Sequence, residues 1–374
     1  MSLKPLSVYI HIPFCPSKCL YCDFTSQSGG EAYFDAYVAA LRRHITTAAP
    51  DFAGYEVVTV FFGGGTPTVL SAAALGQILG EIKANFTMAT NSFISVEANP
   101  ETVDGAYLTA LLNKGFNRLS LGVQSFDNRL LTAIGRAHDA QKAAQAVENA
   151  AKLAFDDINI DLIFALPFQT LADFDKTLNM ALGLPITHIS CYALTVEDST
   201  PLAARQDLIS AICDENDDRA MYTMAAQKLA AAGFEHYEIS NWAKPGKKCC
   251  HNVGYWTGRE YIGFGTAAHS FVRGKRFNTN PSLQAYIGGD FAPQSLEQID
   301  HETAMSEFII LGLRLIDGIS PQTFHKRFNQ DIFAAFGGKI EALTKRGLIF
   351  VETDNIRLTN LGLDLSNQVF AEFI

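Results

Sequence analysis

The sequence predicts an α/β fold, an incomplete (β/α)6 TIM-like barrel followed by a small C-terminal winged-helix-like domain. Two observations carry this. Six short β-rich runs alternate with Ala/Leu-rich helical runs through the first two thirds of the chain, and such alternation implies βα units around a parallel sheet. After about residue 235 the pattern turns polar, aromatic and Gly-bearing, then helical, and closes on a short hairpin and a helix. Six units fit a partial barrel better than a short doubly wound sheet, although the alternation by itself does not separate the two.

The strands are expected at 7–12, 57–62, 93–98, 118–123, 159–166 and 188–194. Helices are expected at 32–45, 72–86, 105–115 and 140–154, with Ser71 as the N-cap of the second. The stretch 277–295 reads as a connection because it is rich in turn residues. Helical runs follow at 302–315 and 331–345, and 346–370 reads as the hairpin and helix. The expected division is therefore a core at 1–236, a connecting segment at 237–295 and a tail domain at 296–374.

At 48% hydrophobic residues the chain can bury a large core, and at 18% charged residues with no low-complexity tract it is not a disordered one. The net charge of −10 and the lack of a Lys/Arg-rich run argue against a nucleic-acid partner, because phosphate neutralisation needs a basic face. No signal-peptide pattern and no run of apolar residues long enough to span a bilayer is visible, so neither export nor integral membrane insertion is expected. The seven cysteines are an odd number, and three of them crowd into eight residues. That distribution suits a metal site in a reducing, cytoplasmic compartment rather than a disulfide framework.

The crowded three are Cys15, Cys19 and Cys22, in C-P-S-K-C-L-Y-C. Thiolates are soft ligands for iron–sulfur clusters, zinc or copper. Three of them can hold three irons of a cubane and leave the fourth open to a small ligand. Alternatively the triplet is half of a zinc site completed by His11 or by Cys249/Cys250, or simply three core cysteines. Further features fall at or near the strand ends, where a barrel places its chemistry. Gly63, Gly64 and Gly65 follow the second strand, where glycine lets backbone approach a ligand closely. Glu97 ends the third strand, and a carboxylate there needs a cationic partner if buried. Gln124 ends the fourth strand and Asp161 lies in the fifth; Arg136 sits in AIGRAHDA. Gln and Asp suit ribose hydroxyls, and Arg suits a carboxylate.

Together YIHIPFCPSKCLYCDF, FFGGGTPT, EANPE, GVQSFD, GRAH, DLIFALPFQT and HNVGYW resemble the coproporphyrinogen oxidase-like branch of the radical SAM superfamily, from about residue 6 to the C-terminus. The resemblance implies a [4Fe–4S] cluster on Cys15, Cys19 and Cys22. It implies S-adenosylmethionine (SAM) chelating the open iron, cleaved by one electron from the reduced cluster. SAM contacts fall by resemblance on Tyr9, Tyr21, Gly64, Gly65, Thr66, Glu97, Gln124, Arg136 and Asp161, with Tyr21 near the cluster and adenine. Within the branch the chain is most similar to heme chaperones, which implies heme, acceptor hemoproteins such as membrane-bound respiratory cytochromes, and an electron donor such as flavodoxin or ferredoxin.

The runner-up is an oxygen-independent coproporphyrinogen III dehydrogenase. Against it, Phe24 stands where that enzyme carries a further cysteine, and only fourteen residues precede Cys15. A heme-opening methyltransferase and a tRNA-modifying enzyme fit less well still. HNVGYW supplies His251 as a candidate heme ligand beside the flat faces of Tyr255 and Trp256. The same motif also reads as a packed structural corner, and His269, Met305, Cys249 and Cys250 are further candidate ligands. Departures from the family pattern are Ala165, Cys250 and Ala267.

Overall fold

The computed structural model describes residues 3–153 and 155–374. Six strands, β1 (Lys4–Ile12), β2 (Tyr55–Gly64), β3 (Met88–Ala98), β4 (Arg118–Gln124), β5 (Asp157–Phe164) and β6 (His188–Ala193), pair in parallel in chain order. All six expected strands are present. β4 is buried along its whole length, as a strand covered on both faces must be.

Helices return between the strands. In Ala72–Asn85 the buried positions Leu75, Ile78, Leu79 and Ile82 recur at helical spacing and form one core-facing stripe. Ser71 caps that helix as expected, its Oγ accepting from the Ala74 N–H at 3.1 Å. Helix Gly105–Lys114 starts on the Asp104 side chain and stops at Gly115, whose φ of 95° suits a left-handed cap. The helix expected at 140–154 runs Ala140–Lys152 behind its Asp139 cap; its expected last residue, Ala154, lies outside the described residues.

The sheet does not stop at six strands. β7 (Glu235–Glu238) and β8 (Asn241–Ala243) extend it antiparallel beyond β6. On the other side β9 (Tyr261–Phe264) pairs parallel to β1, followed antiparallel by β10 (His269–Val272), β11 (Lys275–Asn278) and β12 (Gln294–Gln298). The order is β12-β11-β10-β9-β1-β2-β3-β4-β5-β6-β8-β7, a linear order without closure, so the barrel is open. The expected connection at 277–295 is thus corrected. It holds the end of β11, a helix at Leu283–Ile287 and the start of β12. β12 is exposed at nearly every position, so it shows no apolar alternation by which a strand is read. The boundary expected at 236/237 falls inside β7.

Past β12 come helices His301–Gly312, Pro321–Phe328 and Ile332–Lys345, a hairpin of β13 (Ile349–Val351) and β14 (Ile356–Leu358), and two short helices ending at Ala371. The Pro321 helix was not expected; Ser320 caps it and Pro321 occupies its first turn, where a missing N–H costs nothing. Among the described residues one hydrophobic core surrounds the sheet, another, from Met305 to Phe373, fills the tail, and a small third gathers Leu130, Ile134, Ile163 and Leu166.

Candidate functional site

The site begins with a pinned loop. Phe14–Cys15 pairs with Gln27–Ser28, and the Gln27 N–H donates to the Pro13 carbonyl at 2.8 Å. Residues 16–26 therefore form a closed excursion off the end of β1. The Leu20 N–H donates to the Ile134 carbonyl at 3.1 Å, and the Leu202 N–H donates to the Leu20 carbonyl at 2.8 Å, tying the loop to two distant segments. Cys15, Cys19 and Cys22 are free, half-buried thiols on this loop. All three line one cavity of about 500 Å³ at the C-terminal ends of the parallel strands. Gly64, Gly65, Thr66, Glu97, Gln124, Arg136, Asp161 and Tyr21 line it too, so ten of the expected cluster and SAM positions converge with Cys22 on one space.

Sequence reasoning missed Asn99, which sits in the quoted EANPE motif and joins the thiols. Arg136 Nη1 donates to Cys19 Sγ at 3.3 Å, while Nη2 donates to Asn99 Oδ1 at 2.7 Å and to the Gly122 carbonyl at 2.6 Å. Asn99 Nδ2 donates to Thr66 Oγ1 at 3.1 Å, and Thr66 Oγ1 donates to Cys15 Sγ at 3.6 Å. Two of the three sulfurs, those of Cys15 and Cys19, thus receive donors. Arg136 Nε is buried and has no partner among the described residues.

The glycines answer mainly to the chain itself. A Cβ on Gly65 would lie 2.5 Å from the Phe14 carbonyl oxygen and 3.0 Å from Cys15 Sγ. The Gly65 and Thr66 N–H groups donate to the Ile12 and Phe14 carbonyls, both at 2.8 Å. Gly65 therefore lets the β2 loop lie against the cysteine loop. Gly64 has φ 109°, and its Cβ would strike the His11 ring at 2.6 Å. A Cβ on Gly63 would lie 2.9 Å from Glu97 Oε2, which faces the cavity.

Glu97 accepts one weak bond, from the Gly64 N–H at 3.3 Å, and has no cation at ion-pair distance among the described residues. Burial, reinforced by the nearby Asp161 carboxylate, pushes its pKa up to about 8. Burial likewise raises Asp161, which is held by Asn159 Nδ2 at 2.8 Å. Gln124 takes a left-handed φ of 66° at the end of β4, a strained backbone for a side chain of its kind, and faces the cavity. Burial pushes the Tyr21 phenol up, and its ring packs beside Leu130 and Ile163. Tyr192 and Ser120, also unanticipated, complete the wall.

Tyr9 and His251 do not line this cavity. Both line a smaller one of about 150 Å³ that shares Glu97, Ser120, Asp161 and Tyr192 with it. Tyr9 Oη bonds to His11 Nδ1 at 3.1 Å because alternate residues of β1 face one side of the sheet. His251, on helix Cys250–Trp256, has both ring nitrogens engaged: Nδ1 with Thr59 Oγ1 at 2.9 Å and Nε2 with Tyr255 Oη at 2.9 Å. Its ring stacks on Phe61 at 5.0 Å, and burial pulls its pKa down to about 3. Both of its partners are side chains, not backbone. Cys249, buried, and Cys250, half-buried, lie beside it, away from the cysteine loop.

The residues fit an iron–sulfur cluster with SAM. Among the described residues no three His, Cys, Asp or Glu side chains close around one point as ligands of a single ion would. A cubane, with a separate iron for each thiolate, asks for thiols spread around its face. Burial raises the Cys22 pKa and the neighbouring Cys19 and Cys15 add to it, a cost that iron would remove. The Glu97 carboxyl lacks a cation, and the orphaned Arg136 Nε lacks an anion. A zwitterionic amino acid moiety supplies one of each.

A pinned three-cysteine loop opening onto polar strand ends in an unclosed parallel barrel defines a radical SAM protein. The radical SAM superfamily model matches residues 9–181, and the HemN C-terminal domain model matches residues 299–365. The chain is 33% identical to the heme chaperone HemW of Lactococcus lactis over 380 residues, covering 100% of this chain and 98% of that one. It is 34% identical to the Bacillus subtilis HemW, covering 98% and 99%, and 40% identical to the Escherichia coli HemW, covering 85% and 84%. The chain belongs to the heme chaperone HemW family. Its fold also matches the solved structure of Escherichia coli coproporphyrinogen III oxidase (HemN), a radical SAM enzyme, with a TM-score of 0.88 at 23% identity, covering 100% of this chain and 91% of that one.

Proposed function

We propose that this chain is a heme chaperone that carries a [4Fe–4S] cluster on Cys15, Cys19 and Cys22, binds SAM beside it, and delivers heme to acceptor hemoproteins such as respiratory cytochromes. What carries the reading is relatedness over essentially the whole chain to proteins named heme chaperone HemW. Phe24, in place of the cysteine expected of the dehydrogenase, supports it.

When bound, the cluster supplies one-electron chemistry at its open iron, fed by a donor such as flavodoxin or ferredoxin. The chain's own residues hold the parts. Glu97 receives the SAM ammonium and Arg136 Nε its carboxylate, while Gln124 and Asp161 take the ribose hydroxyls. Backbone at Gly64, Gly65 and Thr66 shapes the space, and Tyr21 faces the adenine. Tyr9 stands behind Glu97, across the shared wall. A cytoplasmic protein fits this role; among the described residues no helix is long and apolar enough to cross a membrane.

Anaerobic reconstitution followed by parallel assays with heme and coproporphyrinogen III tests the proposal. Stoichiometric, saturable heme binding without turnover of coproporphyrinogen III is expected. Multiple turnovers of that substrate would establish the dehydrogenase instead.

A further inference from the structure

A third cavity, of about 640 Å³, opens between the outer strands and the tail. Its size is that of a pocket for a small organic ligand. Its walls are largely aromatic: Tyr261 and Phe271 from the sheet, Phe308 from helix His301–Gly312, and Trp256 between them.

Three polar groups on that wall lack a charged partner among the described residues. His269, exposed at the start of β10, has neither ring nitrogen in a hydrogen bond among the described residues. Arg259 donates to the Cys250 carbonyl at 3.1 Å and to Ser7 Oγ at 3.4 Å, and Arg327 reaches only the Thr257 and Gly258 carbonyls, at 3.4 and 3.5 Å. Neither guanidinium has a carboxylate at ion-pair distance among the described residues, and burial lowers the pKa of both. By contrast Arg276, on the same wall, is already paired with Glu307 and Glu297. The cavity therefore offers flat apolar faces, one free imidazole and two unneutralised cations. Those are the complements of an apolar disc, a metal at its centre and two carboxylates on its edge.

We propose that this cavity is the heme site, with His269 as the axial ligand and Arg259 and Arg327 receiving the propionates. The inference rests on the heme-chaperone reading and moves the ligand away from His251, whose nitrogens are both spent. Phe24, 62% exposed, lines this cavity and the cysteine cavity alike. A porphyrin here lies one side chain from the cluster loop.

The test is titration of the reconstituted full chain with hemin and with hemin dimethyl ester, read by absorbance and electron paramagnetic resonance. His269→Ala should shift the Soret band and change the spin state, and added imidazole should restore both. Arg327→Ala should weaken hemin roughly tenfold, the loss of one charged hydrogen bond, and leave the ester unaffected. Ala304→Trp, which fills the cavity from the tail helix without touching a ligand, should abolish binding while iron content stays normal. Absence of saturable binding by the wild type would remove the heme-chaperone reading itself. Wild-type binding with unchanged spectra in His269→Ala and unchanged affinity in Ala304→Trp would overturn the site alone.

Discussion

Arg136 Nη1 donates to the sulfur of Cys19 across 3.3 Å, joining residues 117 positions apart in the chain. The same guanidinium holds Asn99 and the Gly122 carbonyl, so one side chain ties the cysteine loop to the ends of β3 and β4. Removing it should do two things at once. Arg136→Ala should make the cluster potential more negative, because a donor and a positive charge near sulfur favour the reduced state. It should also weaken SAM roughly tenfold. Arg136→Lys should recover part of the potential but not the affinity, since an ammonium cannot reproduce the planar fork. Redox titration and calorimetry measure the two effects separately.

Each cysteine of the loop is expected to be indispensable. Cys15→Ala, Cys19→Ala and Cys22→Ala should each lose the brown chromophore and most of the iron after reconstitution. Cys213→Ala and Cys191→Ala should keep both, because neither residue lines the cysteine cavity. Iron and sulfide analysis decides, and full occupancy in Cys19→Ala would sink the assignment.

The three glycines should separate by phenotype. Gly65→Ala presses on the Phe14 backbone and Cys15 sulfur, neither of which can yield cheaply, and should lose cluster retention as well as SAM. Gly63→Ala presses on the end of the Glu97 side chain and on the Phe61 ring, and touches no cysteine. It should keep its iron and lose SAM affinity. Iron content against calorimetric SAM affinity in the two variants distinguishes them, and equal phenotypes would contradict the packing described.

SAM affinity should depend on pH through Glu97. Its pKa of about 8 in the ligand-free state means that the carboxyl is mostly protonated at neutral pH and must ionise to meet an ammonium. Binding should therefore release a proton, and affinity should climb as pH rises toward about 8. Folding responds with the opposite sign. A carboxyl raised from 4.5 contributes stability below that value and loses it progressively as pH rises through about 8. Glu97→Gln should flatten both trends. Calorimetry in buffers of differing ionisation heat would reveal the proton, and none released would exclude Glu97.

His251 should matter most to stability. With its pKa lowered from 6.5 to about 3, it contributes stability above pH 6.5 that is lost as pH falls toward 3. His251→Ala should cost about 2–3 kcal/mol, as Thr59 and Tyr255 lose their buried partner. Denaturant unfolding at pH 7.5 and pH 5 should show the gap between wild type and variant narrowing at the lower pH.

The amino-acid sequence by itself determined what is local. Strand and helix periods along 4–193 come from nearest-neighbour chemistry and core burial, and all six parallel strands were legible from them. The cysteine spacing was legible for the same reason, because one short loop carries all three thiols. Tertiary structure decided whatever depends on which segments meet. Asn99 passed unnoticed because its role exists only where Arg136 and Thr66 reach it from other strands. Gly65 suggested room for a ligand; that its missing Cβ also makes room for the Phe14 carbonyl, fifty-one positions earlier, only folding revealed. Tyr9 follows the pleat of β1 to the far side of the Glu97 wall. The outer strand β12 was invisible because, with almost no residue buried, hydrogen bonding alone rather than hydrophobic pattern makes it a strand. The partners of His251 were equally out of reach of the sequence: folding brings Thr59, from β2, to one ring nitrogen and Tyr255 to the other, because the helix that carries His251 packs against that strand.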